Sequence, residues 1–417
     1  MADKRGRCGL LAASAALCTL AGALHFIAGL LCAGDGVQTS SLVVLGVGRF
    51  VIGVGTGLAT VGAPLYLGEI APRESRGLYG SLNQLAVVLG ILGAQVIAAA
   101  TADVVHWRVL LAIPSLIGLV QLAFGLGVLM PETPVWILSS RADVDGALAS
   151  LKRLRAKSED DLADELDAIH AEVREAKAQS NAGSSFISIV QDRTLRLPLF
   201  VSAVMMIGQQ WSGINAVFYY STGFFADAGV SDPVLGTLLA STVNALAMVG
   251  TVPLMESLGR RKLLLLGVGG MLIAALSLTA ILELKDMGNL EEETRSRLNL
   301  ASVICVLFFV AAFELGPGPI PWQIGSEIFP DAPRATAMGA AAVLNWVCNG
   351  LLGLAFPPMQ EALGPAVFVP FCVVLATWLA ITLRYVPETK GRSINEIQLE
   401  FAKLAGGDVH HLLNPVT

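Results

Sequence analysis

Ten long apolar runs constrain this sequence more than any other feature. Each is close to the roughly 20 residues that a helix needs to cross a bilayer, and the charged residues, only 14% of the chain, cluster between them. Because a bilayer offers no water to unpaired peptide groups, such runs are expected to be helical. The runs are 9–33, 41–66, 78–101, 108–130, 197–225, 234–255, 262–283, 300–324, 336–357 and 365–386. We therefore predict an all-α, multi-pass membrane protein with ten transmembrane helices.

Lysine and arginine predict how these helices are oriented. They crowd alternate loops, at residues 4–7, 73–76, 141–196, 260–262, 334 and 384–403. The positive-inside rule places such loops in the cytosol, so both termini are predicted to be cytosolic, as an even number of spans requires. The first apolar run resembles that of a signal peptide, but at about 24 residues it is too long for one.

Three charged motifs occur twice, at offsets of 253, 258 and 256 residues. Residues 3–7 pair with 256–261, Glu69–Pro72 and Arg76 with Glu327–Pro330 and Arg334, and Pro131–Thr133 with Pro387–Thr389. All copies fall on the predicted cytosolic side, which indicates a parallel repeat of two helical bundles. The second half has two spans before its Gly-Arg-Arg loop that the first half lacks. The repeat therefore predicts a parent of twelve helices, of which this chain lacks the first two.

The repeat and the charge pattern divide the chain into four predicted parts. Residues 1–139 form a truncated N-terminal bundle of four helices, and residues 197–390 form a C-terminal bundle of six. Residues 140–196 form a cytosolic helical linker, and residues 391–417 a cytosolic tail. The mixed acidic and basic residues of the linker predict short amphipathic helices.

Carboxamides interrupt the apolar run at 197–225. Gln209, Gln210 and Asn215 lie within it, and an unpaired amide in hydrocarbon costs several kcal/mol. On a helix Gln210 and Asn215 lie about 140° apart, so neighbouring helices must satisfy them or a polar molecule must pass them. Residues 316–322 contain three prolines and two glycines, which predicts a broken helix beside a cavity or under protein cover.

Seven motifs follow one another along residues 1–400. They are Gly48-Arg49-Phe50 with Gly53, Gly55 and Gly57; Pro64–Glu69; Arg73–Gly77; Pro131–Pro134; Gln209–Tyr220; Gly316–Trp322; and Pro387–Gly391. This ordered set resembles the sugar porters of the major facilitator superfamily, most closely the facilitative glucose transporters. The resemblance implies the major facilitator fold, a plasma-membrane location and facilitative uniport of a hexose, with D-glucose favoured, by alternating access.

The resemblance also implies eight sugar-contacting residues. Carboxamides both donate and accept hydrogen bonds without charge, so they can bind hydroxyls and release them, and an indole can stack on a pyranose. The alternative for each amide is interhelical hydrogen bonding, which contributes about 1 kcal/mol; for the acid it is stabilisation of the helix break. The residues are Gln84, Gln209, Gln210, Asn215, Asn244, Glu314, Trp322 and Asn345.

The charged residues of the repeated motifs form a second set. The resemblance implies salt bridges that lock the two halves together in one state and break in the other. Solvated loop ends are the alternative, but the same signs recur at the same spacing in both halves. The set is Asp3, Arg7, Glu69, Arg76, Glu132, Glu256, Arg260, Arg261, Glu327, Arg334 and Glu388.

Three positions depart from the family pattern or leave it open. Val135 replaces the usual arginine, and Met206-Ile207-Gly208 stands where many glucose-selective members have Gln-Leu-Ser, so glucose and fructose both remain possible substrates. The counterpart of Arg49 in proton-coupled relatives pairs with an acid on helix 1. A proton–sugar symporter therefore remains an alternative, as does a non-transporting sensor or regulatory form.

Other classes of function lack their sequence signatures. The chain has no phosphate-binding loop, no His-Glu-x-x-His zinc motif and no nucleophile elbow, and its six cysteines lack metal-ligand spacing. We therefore predict neither an enzyme nor a bound cofactor or metal, with a hexose and the lipid bilayer as partners and no nucleic acid. The glycines at 53, 55 and 57 are predicted to form a close-packed helix face.

Overall fold

The computed structural model describes residues 2–32, 38–72, 76–100, 107–125, 130–158, 160–180, 186–227, 232–288 and 290–405. In these ranges every regular element is helical, with seventeen α-helices. The chain forms two compact units. Unit 1 comprises Met1–Asn83 and Val96–Asn181, and unit 2 comprises Gln84–Gln95 and Ala182–Thr417.

Four long helices begin the chain: α1 (Ala2–Leu31), α2 (Thr39–Ile70), α3 (Arg76–Ala100) and α4 (Trp107–Gly125). Within unit 1, α1 packs against α2 and α4. A Cβ added to Gly48, Gly55 or Gly62 of α2 would lie within 3.4 Å of α1 atoms. These glycines are seven residues apart and share one face, where small residues let two helices approach closely.

The predicted close-packed face of the glycines at 53, 55 and 57 is therefore wrong, because the glycines that contact α1 are seven residues apart and not two. Only Gly55 meets α1, and a Cβ built on Gly53 or Gly57 would have no described atom within 4 Å. The physical reason is the helical repeat, because residues two apart point about 200° apart around the axis.

The remainder of unit 1 is a set of shorter helices. They are α5 (Pro134–Trp136), a π-helical turn (Ile137–Arg141), α6 (Val144–Arg155) and α7 (Ala163–Ser180). Trp136, Leu138 and Val173 share a small buried core. The Arg155 guanidinium pairs with Glu165 at 2.7 Å and donates to the carbonyl of Ile70 at 2.9 Å, which fixes α6 and α7 to the end of α2.

The described part of unit 2 contains ten helices in addition to the middle of α3. The helix α12 packs on α13 and α16, α11 on α13, and α9 on α15, around a continuous apolar core. The helices are α8 (Phe186–Gln191), α9 (Arg196–Trp211), α10 (Ile214–Asp227), α11 (Pro233–Leu258), α12 (Arg260–Asp286), α13 (Glu292–Leu315), α14 (Ile320–Glu327), α15 (Asp331–Leu363), α16 (Val369–Tyr385) and α17 (Ile394–Leu404).

Two predicted spans are each divided into two helices. In the run at 300–324 the break follows Leu315, in the proline-rich segment, so the predicted broken helix is confirmed. The run at 197–225 was expected to be one helix, and that expectation is wrong, because the chain breaks at Ser212-Gly213. Gly213 has φ +98°, a conformation that costs glycine little. The Ser212 hydroxyl donates to the carbonyl of Gln209 at 2.8 Å and accepts from the amide of Ile214 at 3.4 Å, so it partly satisfies the broken backbone.

The surface of the described chain is that of a multi-pass membrane protein. Large apolar side chains such as Phe50 and Leu354 are exposed on long helices. Among the described residues, seven stretches are long and apolar enough to span a membrane: Arg5–Leu31, Thr39–Ile70, Tyr79–Ala100, Pro233–Leu258, Arg260–Asp286, Glu292–Glu327 and Pro333–Tyr385. The last contains both α15 and α16, and Leu110–Phe124 is a shorter apolar helix. The divided run at 197–225 is not among the seven.

Candidate functional site

Three predicted ligands form a buried amide network in unit 2. Gln209 and Gln210 lie in the last turn of α9, and Asn345 lies on the neighbouring α15. The Gln210 amide nitrogen donates to Asn345 Oδ1 at 2.7 Å, and Asn345 Nδ2 donates to Gln209 Oε1 at 2.8 Å. Because each uncharged amide both donates and accepts hydrogen bonds, all three side chains are buried with hydrogen-bond partners.

The network continues from Gln210 towards the protein surface. Gln210 Oε1 accepts hydrogen bonds from Asn215 Nδ2 and from Asn349 Nδ2, the latter at 3.0 Å. The Tyr219 hydroxyl donates to Asn349 Oδ1 at 3.0 Å, and the Tyr219 side chain is 55% exposed. The Gln210 carbonyl is thus a hub between a buried end and an accessible end.

Asn349 and Tyr219 were not predicted as site residues. Each follows a predicted amide by four residues, Asn349 after Asn345 and Tyr219 after Asn215. Residues four apart share a helix face, so that spacing is the sequence signal by which both could have been found.

Gln209 has a different position from Gln210. Its amide nitrogen donates to the carbonyls of Pro317 at 3.1 Å and Gly318 at 2.7 Å, which lie between α13 and α14. Helix-breaking residues leave such carbonyls without intrahelical partners. With its Oε1 bonded to Asn345, the Gln209 side chain has partners for both donors and its acceptor, and it joins α9 to the broken helix.

A second polar cluster in unit 2 surrounds Glu314. This carboxylate is buried near the end of α13. Gln84 Nε2 lies 3.4 Å from both of its oxygens, and the buried Asn244 side chain lies close to it. Within the described residues, Asn244 Oδ1 has no hydrogen-bond partner. Trp322 lies in the first turn of α14 and is half-buried.

Packing explains one departure from the family pattern. A Cβ placed on Gly208 would lie 2.5 Å from Trp378 Cδ2, so the serine usual at this position would require Trp378 to shift. Trp378 is a fully buried residue of α16. The glycine therefore leaves room for the Trp378 ring.

The charged motif of unit 1 is built on a left-handed turn at Gly6, which has φ +83° and ψ 173°. The amides of Arg7 and Cys8 donate to the two oxygens of Glu132 at 3.0 and 3.1 Å. A Cβ on Gly6 would lie 2.0 Å from Glu132 Oε2. The Arg7 guanidinium pairs with Glu69, with its closest contact at 2.6 Å and both side chains nearly buried.

Unit 2 repeats this arrangement at Gly259, which has φ +86° and ψ 166°. The amides of Arg260 and Arg261 donate to Glu388 at 2.9 and 3.2 Å. The Arg260 guanidinium lies 3.3 Å from Glu327. We call each of these arrangements, Gly6–Arg7–Glu132–Glu69 and Gly259–Arg260–Glu388–Glu327, a glycine clamp.

The remaining predicted gate residues take other positions. Glu256 lies 3.6 Å from Arg260, and the Arg334 guanidinium donates to the carbonyl of Phe329 at 3.0 Å. The side chains of Asp3 and Arg76 lie outside the described residues. The pairs Arg7–Glu69 and Arg260–Glu327 each form within one unit, and a gating role for the set remains a prediction.

Comparisons with known proteins identify the family. The family described as "Sugar (and other) transporter" matches residues 1–401. The facilitated glucose transporter member 4 of solute carrier family 2 from Mus musculus is 38% identical over 403 residues, covering 95% of this chain and 74% of the relative. Member 3 from Oryctolagus cuniculus is 39% identical over 368 residues, covering 87% and 71%.

A solved structure shares the fold. The xylose transporter XylE from E. coli, in a partially occluded inward open conformation, superposes with a TM-score of 0.74 at 24% identity, covering 94% of this chain and 83% of that one. The present structure is therefore all-helical with the fold of a major facilitator transporter, and the chain belongs to the sugar transporter family.

Proposed function

We propose that this chain carries a hexose, with D-glucose as the favoured substrate, across a membrane by facilitative uniport. The relatives named above are facilitated glucose transporters, and such transport requires no covalent chemistry. The observation that carries the proposal is the carboxamide network centred on Gln210.

The network suits a ligand that carries many hydroxyl groups. A hydroxyl that replaces Asn215 or Asn349 at the Gln210 carbonyl leaves a free amide N–H, which can donate to another oxygen of the sugar. Because one neutral hydrogen bond replaces another, each exchange changes the free energy by only about 1 kcal/mol. Binding of this kind is selective but readily reversed, as a transporter requires.

Alternating access needs helices that can move without losing backbone hydrogen bonds. The breaks at Ser212-Gly213 and after Leu315 lie beside the amide network, and Gln209 connects one to the other. We propose that the sugar contacts Gln210, Asn215, Asn349 and Trp322, while Gln209 and Asn345 position them. Gln84, Asn244 and Glu314 are proposed as a second polar contact.

The membrane topology is part of the proposal. Ten spans with cytosolic termini agree with the distribution of lysine and arginine, and the plasma membrane is proposed as the location from the family resemblance. In this topology both glycine clamps lie on the cytosolic side, where they can bias the equilibrium between the outward-open and inward-open states.

Transport into liposomes tests the proposal. The purified chain should equilibrate labelled D-glucose across the bilayer, and L-glucose should not enter faster than into protein-free vesicles. Equal entry of the two enantiomers would contradict a stereospecific site.

A pH gradient separates the uniporter from a proton–sugar symporter. A uniporter brings internal D-glucose to the external concentration and no further, with or without the gradient. Accumulation above the external concentration that is abolished by a proton ionophore would replace uniport with symport.

A further inference from the structure

The short helix α8 has an exposed apolar face. Phe186, Ile187 and Val190 are 46%, 67% and 42% exposed, whereas Ile189 is 1% exposed and belongs to the core of unit 2. The three exposed side chains fall within an arc of about 100° on a helical wheel. Helix α8 lies outside the seven candidate membrane spans, so this face is not explained by a spanning segment.

A tight turn holds α8 at the beginning of α9. The Arg196 guanidinium donates to the carbonyl of Val190 at 3.1 Å. Inside the turn, the backbone amide and the hydroxyl of Thr194 donate to Asp192 Oδ1 at 2.8 and 2.7 Å. Helix α8 also packs against α15, part of which is a candidate membrane span. The exposed face is thus fixed beside two helices of the bundle.

The charges next to this face match a lipid surface. Arg193 is exposed on the connection from α8 to α9, and Arg196 at the start of α9 and Phe200 one turn later are exposed as well. An interfacial helix places its apolar side among the upper acyl chains and its cations at the phosphate level. The nearby Asp192 is occupied by the turn.

We propose that α8 is an interfacial anchor, in which Phe186, Ile187 and Val190 insert into the membrane leaflet on the predicted cytosolic side and Arg193 binds lipid phosphate. The inference rests on the proposed membrane orientation. It revises the end of the predicted soluble linker at 140–196, because the last part of that linker then lies in the lipid headgroup region.

Photocrosslinking can test the anchor in the full chain in liposomes. A photoreactive benzoylphenylalanine replaces Val190 in one variant and Val144 in another. The two valines are a matched pair, since each is 42% exposed and Val144 lies on α6 of the linker region. We expect lipid adducts at position 190, detected by mass spectrometry, to exceed those at 144 by about tenfold.

A third variant labelled at Leu354, which is 79% exposed on α15, reports whether the helical bundle contacts lipid. If lipid adducts form at position 354 while position 190 gives no more than position 144, the anchor is overturned and the membrane fold is not affected. Adducts from 190 to protein would overturn it in favour of a protein contact. Lipid adducts absent from both 190 and 354 would contradict the anchor and the proposed function together.

The charge contribution can be measured separately. Vesicles of phosphatidylcholine alone are compared with vesicles that also contain phosphatidylserine. One arginine near an anionic surface contributes roughly fivefold in binding, so Arg193→Gln should reduce the preference of position 190 for phosphatidylserine adducts by about that factor. An unchanged preference would remove Arg193 from the proposal. Only variants whose thermal unfolding matches that of the wild type are compared. If the fold does not tolerate the label at position 190, the label is placed at position 187 instead.

Discussion

In unit 1 the carboxylate of Glu132 accepts hydrogen bonds from two successive amides after Gly6, and in unit 2 Glu388 does the same after Gly259. The two glycines differ by only 3° in φ and 7° in ψ, with values of 83° and 173° against 86° and 166°. The backbone part of the glycine clamp is therefore reproduced almost without change in the two halves of the repeat.

The side-chain parts of the two clamps differ. Arg7 contacts Glu69 through both Nε and Nη2, at 2.6 to 2.9 Å. Arg260 approaches Glu327 only to 3.3 Å, and its Nε makes no aligned hydrogen bond within the described chain. Its guanidinium is shared with Glu256 at 3.6 Å and with the carbonyl of Met255 at 3.2 Å.

The threonines that follow Glu132 and Glu388 also differ between the two clamps. Thr133 follows Glu132 and donates its hydroxyl to Glu69. Thr389 follows Glu388, but its buried hydroxyl has no partner among the described residues, and neither has Glu327 Oε2. Equal motifs thus give an equal backbone turn, while the two ion pairs differ in length and in the exposure of the carboxylate. We expect the clamp of unit 2 to release its ion pair at a lower free-energy cost than the clamp of unit 1.

The largest effect is expected from the shared feature, the glycines. Gly6→Ala or Gly259→Ala places a side chain in a conformation that only glycine adopts readily, and displaces the carboxylate from two amides. Each should lower the unfolding free energy by about 4 kcal/mol, measured by denaturant titration in mixed micelles. Gly53→Ala, at a position with no described neighbour, is the control. A small effect at Gly259 alone would show that the backbone turns are not equivalent.

The ion pairs should separate the two clamps. Glu69→Gln leaves a nearly buried arginine without its full charge partner and should cost about 3 kcal/mol. Glu327→Gln removes a longer, more exposed pair, with Glu327 29% exposed against 12% for Glu69, and should cost about 1 kcal/mol or less. The same titration measures both, and equal losses would contradict the asymmetry.

The threonines provide the smallest and most selective comparison. Thr133→Val removes a hydrogen bond to a carboxylate and the N-cap contact to Trp136, and should cost about 2 kcal/mol. Thr389→Val removes an unpaired buried hydroxyl and should be neutral or slightly stabilising. A loss at Thr389 equal to that at Thr133 would show that the Thr389 hydroxyl does have a hydrogen-bond partner.

Much of this organisation could be predicted from the sequence. The positions of most helices follow from the lengths of the apolar runs, and the repeat identifies Glu132 and Glu388 as equivalent residues of the two halves. Gln210, Asn215 and Asn345 were identifiable because uncharged polar residues in an apolar run need partners. Sequence spacing could not identify the ion-pair partners, since Arg7 and Glu69 are 62 residues apart and meet only because α1 packs against α2.

The break after Trp211 was also beyond the sequence pattern. Residues 209–220 contain one glycine and no proline, so their composition alone predicts a continuous helix. The break depends on local hydrogen bonds of Ser212 and on the packing of Gly213, whose added Cβ would lie 2.9 Å from the Phe371 ring. Tertiary contact therefore decides the conformation that local propensity leaves open.

Calorimetry on the purified chain tests the central claim, that the Gln210 network binds a hexose. We predict that D-glucose binds and L-glucose does not, that Gln210→Ala weakens D-glucose binding by about tenfold through the loss of one to two hydrogen bonds, and that Gln360→Ala, at an exposed end of α15, leaves it unchanged. Binding of D-glucose with the same affinity in the wild type and in Gln210→Ala would contradict this account, as would the absence of any D-glucose binding by the wild type.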